Sequence, residues 1–230
     1  MTEPEQGNAR RTRVKICGLR DEATVRAMDG LPIDEVGFIF AKSRRHVAPE
    51  LAAELIAGVR RLRNADGVAP RTVGVFVNPT LDDLRETLRI APLDVVQLHG
   101  EESPSFCAEA KAAFGVAVWK VLSVTPEDGA DRDSDGPGRL RPYIGSVDAF
   151  LIDTAGGGTG KTFAWPVIDR YQEAADGVPL YVAGGLQPDN VVELVRRYSP
   201  GGVDVSSGVE TDGLKDMTKI RLFAERVQGV

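Results

Sequence analysis

Short runs rich in β-branched and aromatic residues recur along the chain and alternate with stretches whose apolar residues follow a helical spacing. The runs are RVKIC at 13–17, EVGFIF at 35–40, TVGVFV at 72–77, DVVQL at 94–98, VAVWKVL at 116–122, DAFLID at 148–153, PLYVAG at 179–184 and GVDVSS at 202–207. Apolar runs of roughly four to eight residues read as buried strands. Between them, Leu51, Leu55, Val59 and Leu62 form one apolar stripe, and Val191, Leu194, Val195 and Tyr198 another. Pro49 and Pro188 stand where a first helical turn tolerates a missing N–H, and Asp216, Met217, Ile220, Phe223, Ala224 and Val227 suit a closing helix. Strand followed by helix, eight times over with no break in composition, predicts an α/β fold: one (β/α)8, or TIM, barrel over residues 13–230 behind a polar N-terminal tail at 1–12. One stretch breaks the rhythm. Thr125 to Pro142, TPEDGADRDSDGPGRLRP, is too polar and too rich in Asp, Gly and Pro to cover a sheet, and reads as a surface loop.

Composition narrows the classes of function. The chain has 230 residues, 42% hydrophobic, and its 34 acidic against 28 basic side chains give a formal charge of -6. The length suits one large barrel, and the acidic balance offers no clustered basic footprint for nucleic acid or an anionic membrane. Small metabolites, anionic ones included, remain as partners. No run reaches the ~18–20 apolar residues of a membrane span, and the opening MTEPEQGNARRTR has no apolar stretch of the secretory kind. Cys17 and Cys107 stand far apart, which predicts reduced thiols in a cytoplasmic protein. Together with His46 and His99 they show no zinc-ligand spacing.

In such a barrel, ligands bind at the C-terminal ends of the strands, and side chains alternate between the interior and the surrounding helices. With Val14 and Ile16 facing the helices, Lys15 and Cys17 point inward, Cys17 at the strand tip beside a cation that favours its thiolate. The plainer reading of Cys17 is a small core hydrophobe. Asp153 ends DAFLID on the inward side, where the plain alternative is a carboxylate capping the loop that follows. Gly157 and Gly158, in the TAGGGTGKT segment, let main chain approach a ligand, although the spacing is not that of a nucleotide-binding P-loop. VAGGL and VSSGVE place Gly184, Gly185, Ser206, Ser207 and Gly208 in the seventh and eighth loops, where many barrels hold phosphate on backbone N–H groups. Arg44 and Arg45 follow the second strand, and a guanidinium there can grip a carboxylate bidentately. His99 ends the fourth strand. Asp204, inward on the eighth, either bonds a substrate hydroxyl or pairs with Lys15.

Taken together, VKICGL, GFIFAKSRRHV, VGVFVN, VQLHGEE, LIDTAGGGTGKTFAW, VAGGLQPDNV and VDVSSGVE resemble the phosphoribosylanthranilate isomerase family of tryptophan biosynthesis, from about Val14 to Phe223. The resemblance implies a cofactor-free and metal-free barrel with a reduced or missing fifth helix; whether the chain is a monomer or a homodimer is left open by the sequence. Its activity would be the Amadori rearrangement of N-(5-phosphoribosyl)anthranilate to 1-(2-carboxyphenylamino)-1-deoxyribulose 5-phosphate. It further implies Cys17 as general base, Asp153 as general acid, Arg45 on the anthranilate carboxylate and the VAGGL and SSG loops on the phosphate, with His99, Lys15 and Asp204 around the substrate. Two departures stand out: Ala164, where the family commonly has Asp, and a long 125–142 loop. A related sugar isomerase of histidine biosynthesis uses two aspartates, which Cys17 argues against. A non-catalytic phosphometabolite-binding barrel needs neither Cys17 nor Asp153.

Overall fold

The computed structural model describes residues 11–125, 128, 136–154 and 162–230. Eight parallel strands close on themselves in chain order: β1 (Arg13–Cys17), β2 (Glu35–Ile39), β3 (Arg71–Phe76), β4 (Val95–Leu98), β5 (Ala117–Val124), β6 (Ala149–Thr154), β7 (Leu180–Val182) and β8 (Gly202–Val205). Helices α1 (Glu22–Ala27), α2 (Pro49–Val59), α3 (Leu81–Ile90), α4 (Pro104–Phe114), α5 (Ile168–Ala174), α6 (Pro188–Tyr198) and α7 (Met217–Gln228) stand between the strands and after the last. This is the expected (β/α)8 barrel. Arg11 and Thr12, read from the sequence as tail, already engage it: Arg11 pairs with Asp34, and the Thr12 hydroxyl donates to the Pro200 carbonyl.

Side-chain alternation divides the apolar residues into two cores. Val73, Val95, Trp119, Val121, Ala149, Leu151, Tyr181 and Ala183 fill the barrel, while Val14, Ile16, Val36, Phe38, Val96, Leu98, Phe150 and Ile152 pack outward against the helices. Gly202 leaves room inside the barrel, since a Cβ there would lie 2.2 Å from the Tyr181 ring.

Local chemistry accounts for the helix ends. Thr80 and Asp83 cap α3 reciprocally, Ser103 caps α4 ahead of Pro104, and Asp216 accepts from the Thr218 and Lys219 N–H groups to start α7. Pro49 and Pro188 are the first residues of α2 and α6, as expected. The buried face of α2 keeps Leu55 and Val59 of the expected stripe, with Leu62 buried just beyond the helix, and adds Ala52 and Ile56; Leu51 alone of the stripe is left 38% exposed.

Between β5 and β6 the described residues form a 3-10 helix, Pro137–Tyr143, with Pro137 and Leu140 buried, so this part of the expected surface loop packs onto the barrel. Asp128 anchors it by accepting from the Thr125 N–H, Arg139 and the Tyr171 hydroxyl. The remainder of the loop, where a reduced fifth helix was expected, lies outside the described residues. None of the helices described is long and apolar enough to cross a membrane.

Candidate active site

The β1–β8 pairing sets Lys15 directly beside Asp204, and both face inward. The Lys15 ammonium, wholly buried, donates to Asp204 at 3.0 Å. Burial alone would discharge it, but the Asp204 carboxylate and the Cys17 sulfur hold the proton on. Of the two sequence readings for Asp204, the Lys15 pair is therefore the one seen.

Cys17 is buried at the tip of β1, and Gly37 on β2 makes room for it: a Cβ at Gly37 would lie 2.8 Å from Sγ and 3.2 Å from Lys15 Nζ. Lys15 pulls the thiol down, as expected, but does not decide the net direction. Burial pushes the Cys17 thiol up and Asp204 adds to this, outweighing the opposite pull of Lys15 and Lys215. A thiolate arises here only at the expense of desolvation, and the two lysines set how large that expense is.

Asp153 ends the inward side of β6. Burial, with Asp204 second, raises its carboxyl to about 6, and the buried Oδ1 has no hydrogen-bond partner among the described residues. The Thr154 N–H pulls the carboxyl the other way, and the loop it would cap, residues 155–161, lies outside the described residues. His99 Nε2 stands 4.0 Å from Oδ2. Burial and the nearby Lys120 lower the His99 imidazole, favouring its neutral form.

The β4–α4 loop carrying His99 is fixed from below by a residue pair that spacing could not reveal. Lys120 donates to Glu102 at 2.7 Å and to the Gly100 carbonyl at 2.6 Å, and Glu102 accepts from the Asn78 and Gly100 N–H groups. Gln97, inward one step below His99, was likewise missed; its buried Oε1 has no partner.

Loops seven and eight converge as expected. Gly184 and Gly185 take φ of 86° and 64°, which favour glycine, and a Cβ on Gly184 would fall 2.9 Å from Asp153 Oδ1. A Cβ on Gly208 would lie 1.8 Å from the Leu186 carbonyl oxygen, so the two loops touch main chain to main chain. Ser206 Oγ donates to the Cys17 carbonyl at 3.1 Å, and Ser207 opens a 3-10 turn, Ser207–Val209. Gly157 and Gly158 lie outside the described residues. Ala164 precedes the 3-10 helix Trp165–Val167, which has no side-chain cap where an Asp would supply one.

Arg45, expected to await a carboxylate, is 7% exposed and already holds one: Nε and Nη2 donate to Glu210 at 2.7 and 3.0 Å. Arg44, outside on the same loop, also reaches Glu210. Glu210 stood in the VSSGVE motif without attracting notice, because nothing local announces a partner far away in the chain.

Comparison with known proteins agrees with this arrangement. Residues 14–226 match the family described as N-(5'phosphoribosyl)anthranilate (PRA) isomerase. The N-(5'-phosphoribosyl)anthranilate isomerase of Brevibacillus brevis is 44% identical over 221 residues, 94% of each chain. The crystal structure of phosphoribosyl anthranilate isomerase from Thermotoga maritima superposes with a TM-score of 0.77 at 32% identity, covering 95% of this chain and all of that one. A phosphoribosyl anthranilate isomerase in complex with reduced 1-(o-carboxyphenylamino)-1-deoxyribulose 5-phosphate gives 0.75 at 31% identity, over 95% of this chain and 100% of the other. With the family's match running from β1 into α7 and the strand tips carrying the residues described above, the chain belongs to the N-(5'-phosphoribosyl)anthranilate isomerase family.

Proposed function

We propose that the protein catalyses the Amadori rearrangement of N-(5'-phosphoribosyl)anthranilate, with Asp153 as general acid and Cys17 as general base. An isomerase of tryptophan biosynthesis is what family membership makes it; the residue roles are those the resemblance implies, and features of the site support them. The carrying observation is Asp153: a buried carboxyl raised to about 6, with one oxygen unpartnered among the described residues, at the tip of an inward strand. Such a group holds its proton to a much higher pH than an ordinary carboxyl, and its buried oxygen is placed to deliver it.

The reaction needs two proton transfers. Asp153 gives its proton to the ribose ring oxygen, the C1′–O bond breaks, and the anthranilate nitrogen's lone pair forms the C1′=N bond. The Cys17 thiolate then removes the C2′ proton, the electrons of that C–H bond form C1′=C2′ as the C1′=N π pair returns to nitrogen, and the resulting enolamine tautomerises to the ketose. Lys15 and Lys215 both favour the thiolate electrostatically, and Asp204, felt by Cys17 and Asp153 alike, raises both. Because burial holds the thiol up, Lys15, joined to Asp204, acts as the fixed positive charge against which the sulfur's charge develops.

Gly184, Gly185, Ser206, Ser207 and Gly208 would present donors to the phosphate, and Arg45 the guanidinium to the anthranilate carboxylate. His99 stands over Asp153. Loss of the substrate's anthranilate fluorescence on adding purified protein tests the reading directly. Fluorescence that persists at micromolar enzyme, from a preparation shown to be folded, would sink it.

A further inference from the structure

Resting on the reading that Arg45 receives the substrate's carboxylate, we infer that Glu210 is a positioning residue for that recognition: it occupies one edge of the Arg45 guanidinium and aims the other into the site. A guanidinium has two edges able to grip a carboxylate, one formed by Nε and Nη2, the other by Nη1 and Nη2. Glu210 takes the first with both of its oxygens, at 2.7 and 3.0 Å. In this proposal the second edge is the one offered to the substrate's anion, the first being fixed by Glu210.

The surroundings fit aiming rather than simple neutralisation. Glu210 opens strand β9 (Glu210–Thr211), paired antiparallel with β10 (Leu214–Lys215) across a turn at Asp212 and Gly213, both at positive φ. Lys215, opposite Glu210 in this hairpin, donates to it at 3.0 Å and to the Ser206 carbonyl at 2.8 Å. Ser206 in turn holds the Cys17 carbonyl. The aliphatic arm of Arg45 crosses Gly18, where a Cβ would come within 2.7 Å of its Cδ. A continuous chain of contacts thus ties the guanidinium to the backbone of Cys17. Arg45 and Lys215 hold the Glu210 carboxylate down, to about 2, against its burial, so it keeps its charge throughout the working pH range, and with Arg44 also paired to it the cluster retains an excess of positive charge.

The test compares two ligands: the reduced product analogue that carries the carboxyphenyl group, and the same compound with a plain phenyl ring. Their Kd ratio isolates the carboxylate's contribution. Wild type should favour the carboxylate by about 10- to 100-fold, and Arg45→Ala should bring the ratio close to one. Glu210→Gln offers one acceptor where two are needed, and should cut the ratio roughly 10-fold while leaving the phenyl compound's Kd within about 2-fold. In the double variant Glu210→Gln should cost nothing further, because it acts through Arg45. Glu210→Asp, which keeps the cluster neutralised but retracts the carboxylate, should also lower the ratio and serves if the Gln variant folds poorly. A ratio unchanged in folded Glu210→Gln or Glu210→Asp overturns the inference, as does an increase, which would make Glu210 a competitor for the guanidinium. If Arg45→Ala itself keeps the wild-type ratio, the carboxylate reading of Arg45 fails first.

Discussion

Asp153 and Cys17 are both titratable, both buried and both pushed upward, and the pH dependence of a proton-transferring pair follows from that. Chemistry that needs one group protonated and the other not proceeds from the singly protonated pair, so kcat/KM rises through the lower apparent pKa and falls through the higher. We expect a rising limb near the Asp153 value of about 6, and a falling limb above the ordinary thiol range. Steady-state rates across pH check this, and a wild-type profile flat through the first limb removes Asp153 from the role. Cys17→Ala and Asp153→Asn should each lower kcat at least ~10²-fold while circular dichroism and melting show a folded barrel. The inward direction of both side chains was legible in RVKIC and DAFLID, because alternation is a property of an extended backbone. The upward displacement of the thiol was not, since desolvation depends on what closes over the sulfur.

At the scale of elements, the contact between loops seven and eight carries the next expectation. Gly208 abuts the Leu186 carbonyl oxygen so closely that even a methyl group must part the loops. Gly208→Ala should therefore lose most of the rise in Tm that a phosphorylated product gives wild type, whereas Cys17→Ala, altered away from the phosphate, should keep it. Differential scanning fluorimetry with and without product measures both. A full product shift in Gly208→Ala would move the phosphate to other loops. The glycines and serines of VAGGL and VSSGVE were visible in the sequence as donor-rich turns, but the main-chain contact between them is made only when β7 and β8 pair. The apolar stripe of α2 was legible too: periodicity located the helix and its buried side through Leu55, Val59 and Leu62, although Leu51 at its start went to solvent.

For the molecule as a whole, the mouth of the barrel carries the chemistry and the closed end bears on stability. Glu35, at the start of β2, is fully buried there; it accepts from the Tyr181 hydroxyl at 3.0 Å, has Oε2 unpartnered, and is raised by burial to about 7 from an ordinary 4.5. Its folded-state pKa lies above its unfolded value, so its favourable contribution is complete below about 4.5 and is lost as pH rises through about 7. That difference corresponds to at most ~3 kcal/mol, lessened by Arg13, whose Nη1 lies 3.4 Å away. Glu35→Gln should accordingly raise Tm more above neutrality than in acid, without altering KM. Equal shifts at both extremes would show that the buried carboxyl does not titrate with folding. By itself the sequence determined the eight strands, most of the helices between them, the inward side chains of β1, β6 and β8 and the tips where chemistry belongs, because period-two and helical patterning are written in neighbouring residues. Tertiary structure alone decided that Arg45 meets Glu210 across 165 residues, that Lys120 and Glu102 underpin the loop of His99, and that burial outweighs Lys15 at Cys17. Hydrogen-bond partners and desolvation are settled by distance in space, which closing the barrel creates and local sequence does not contain.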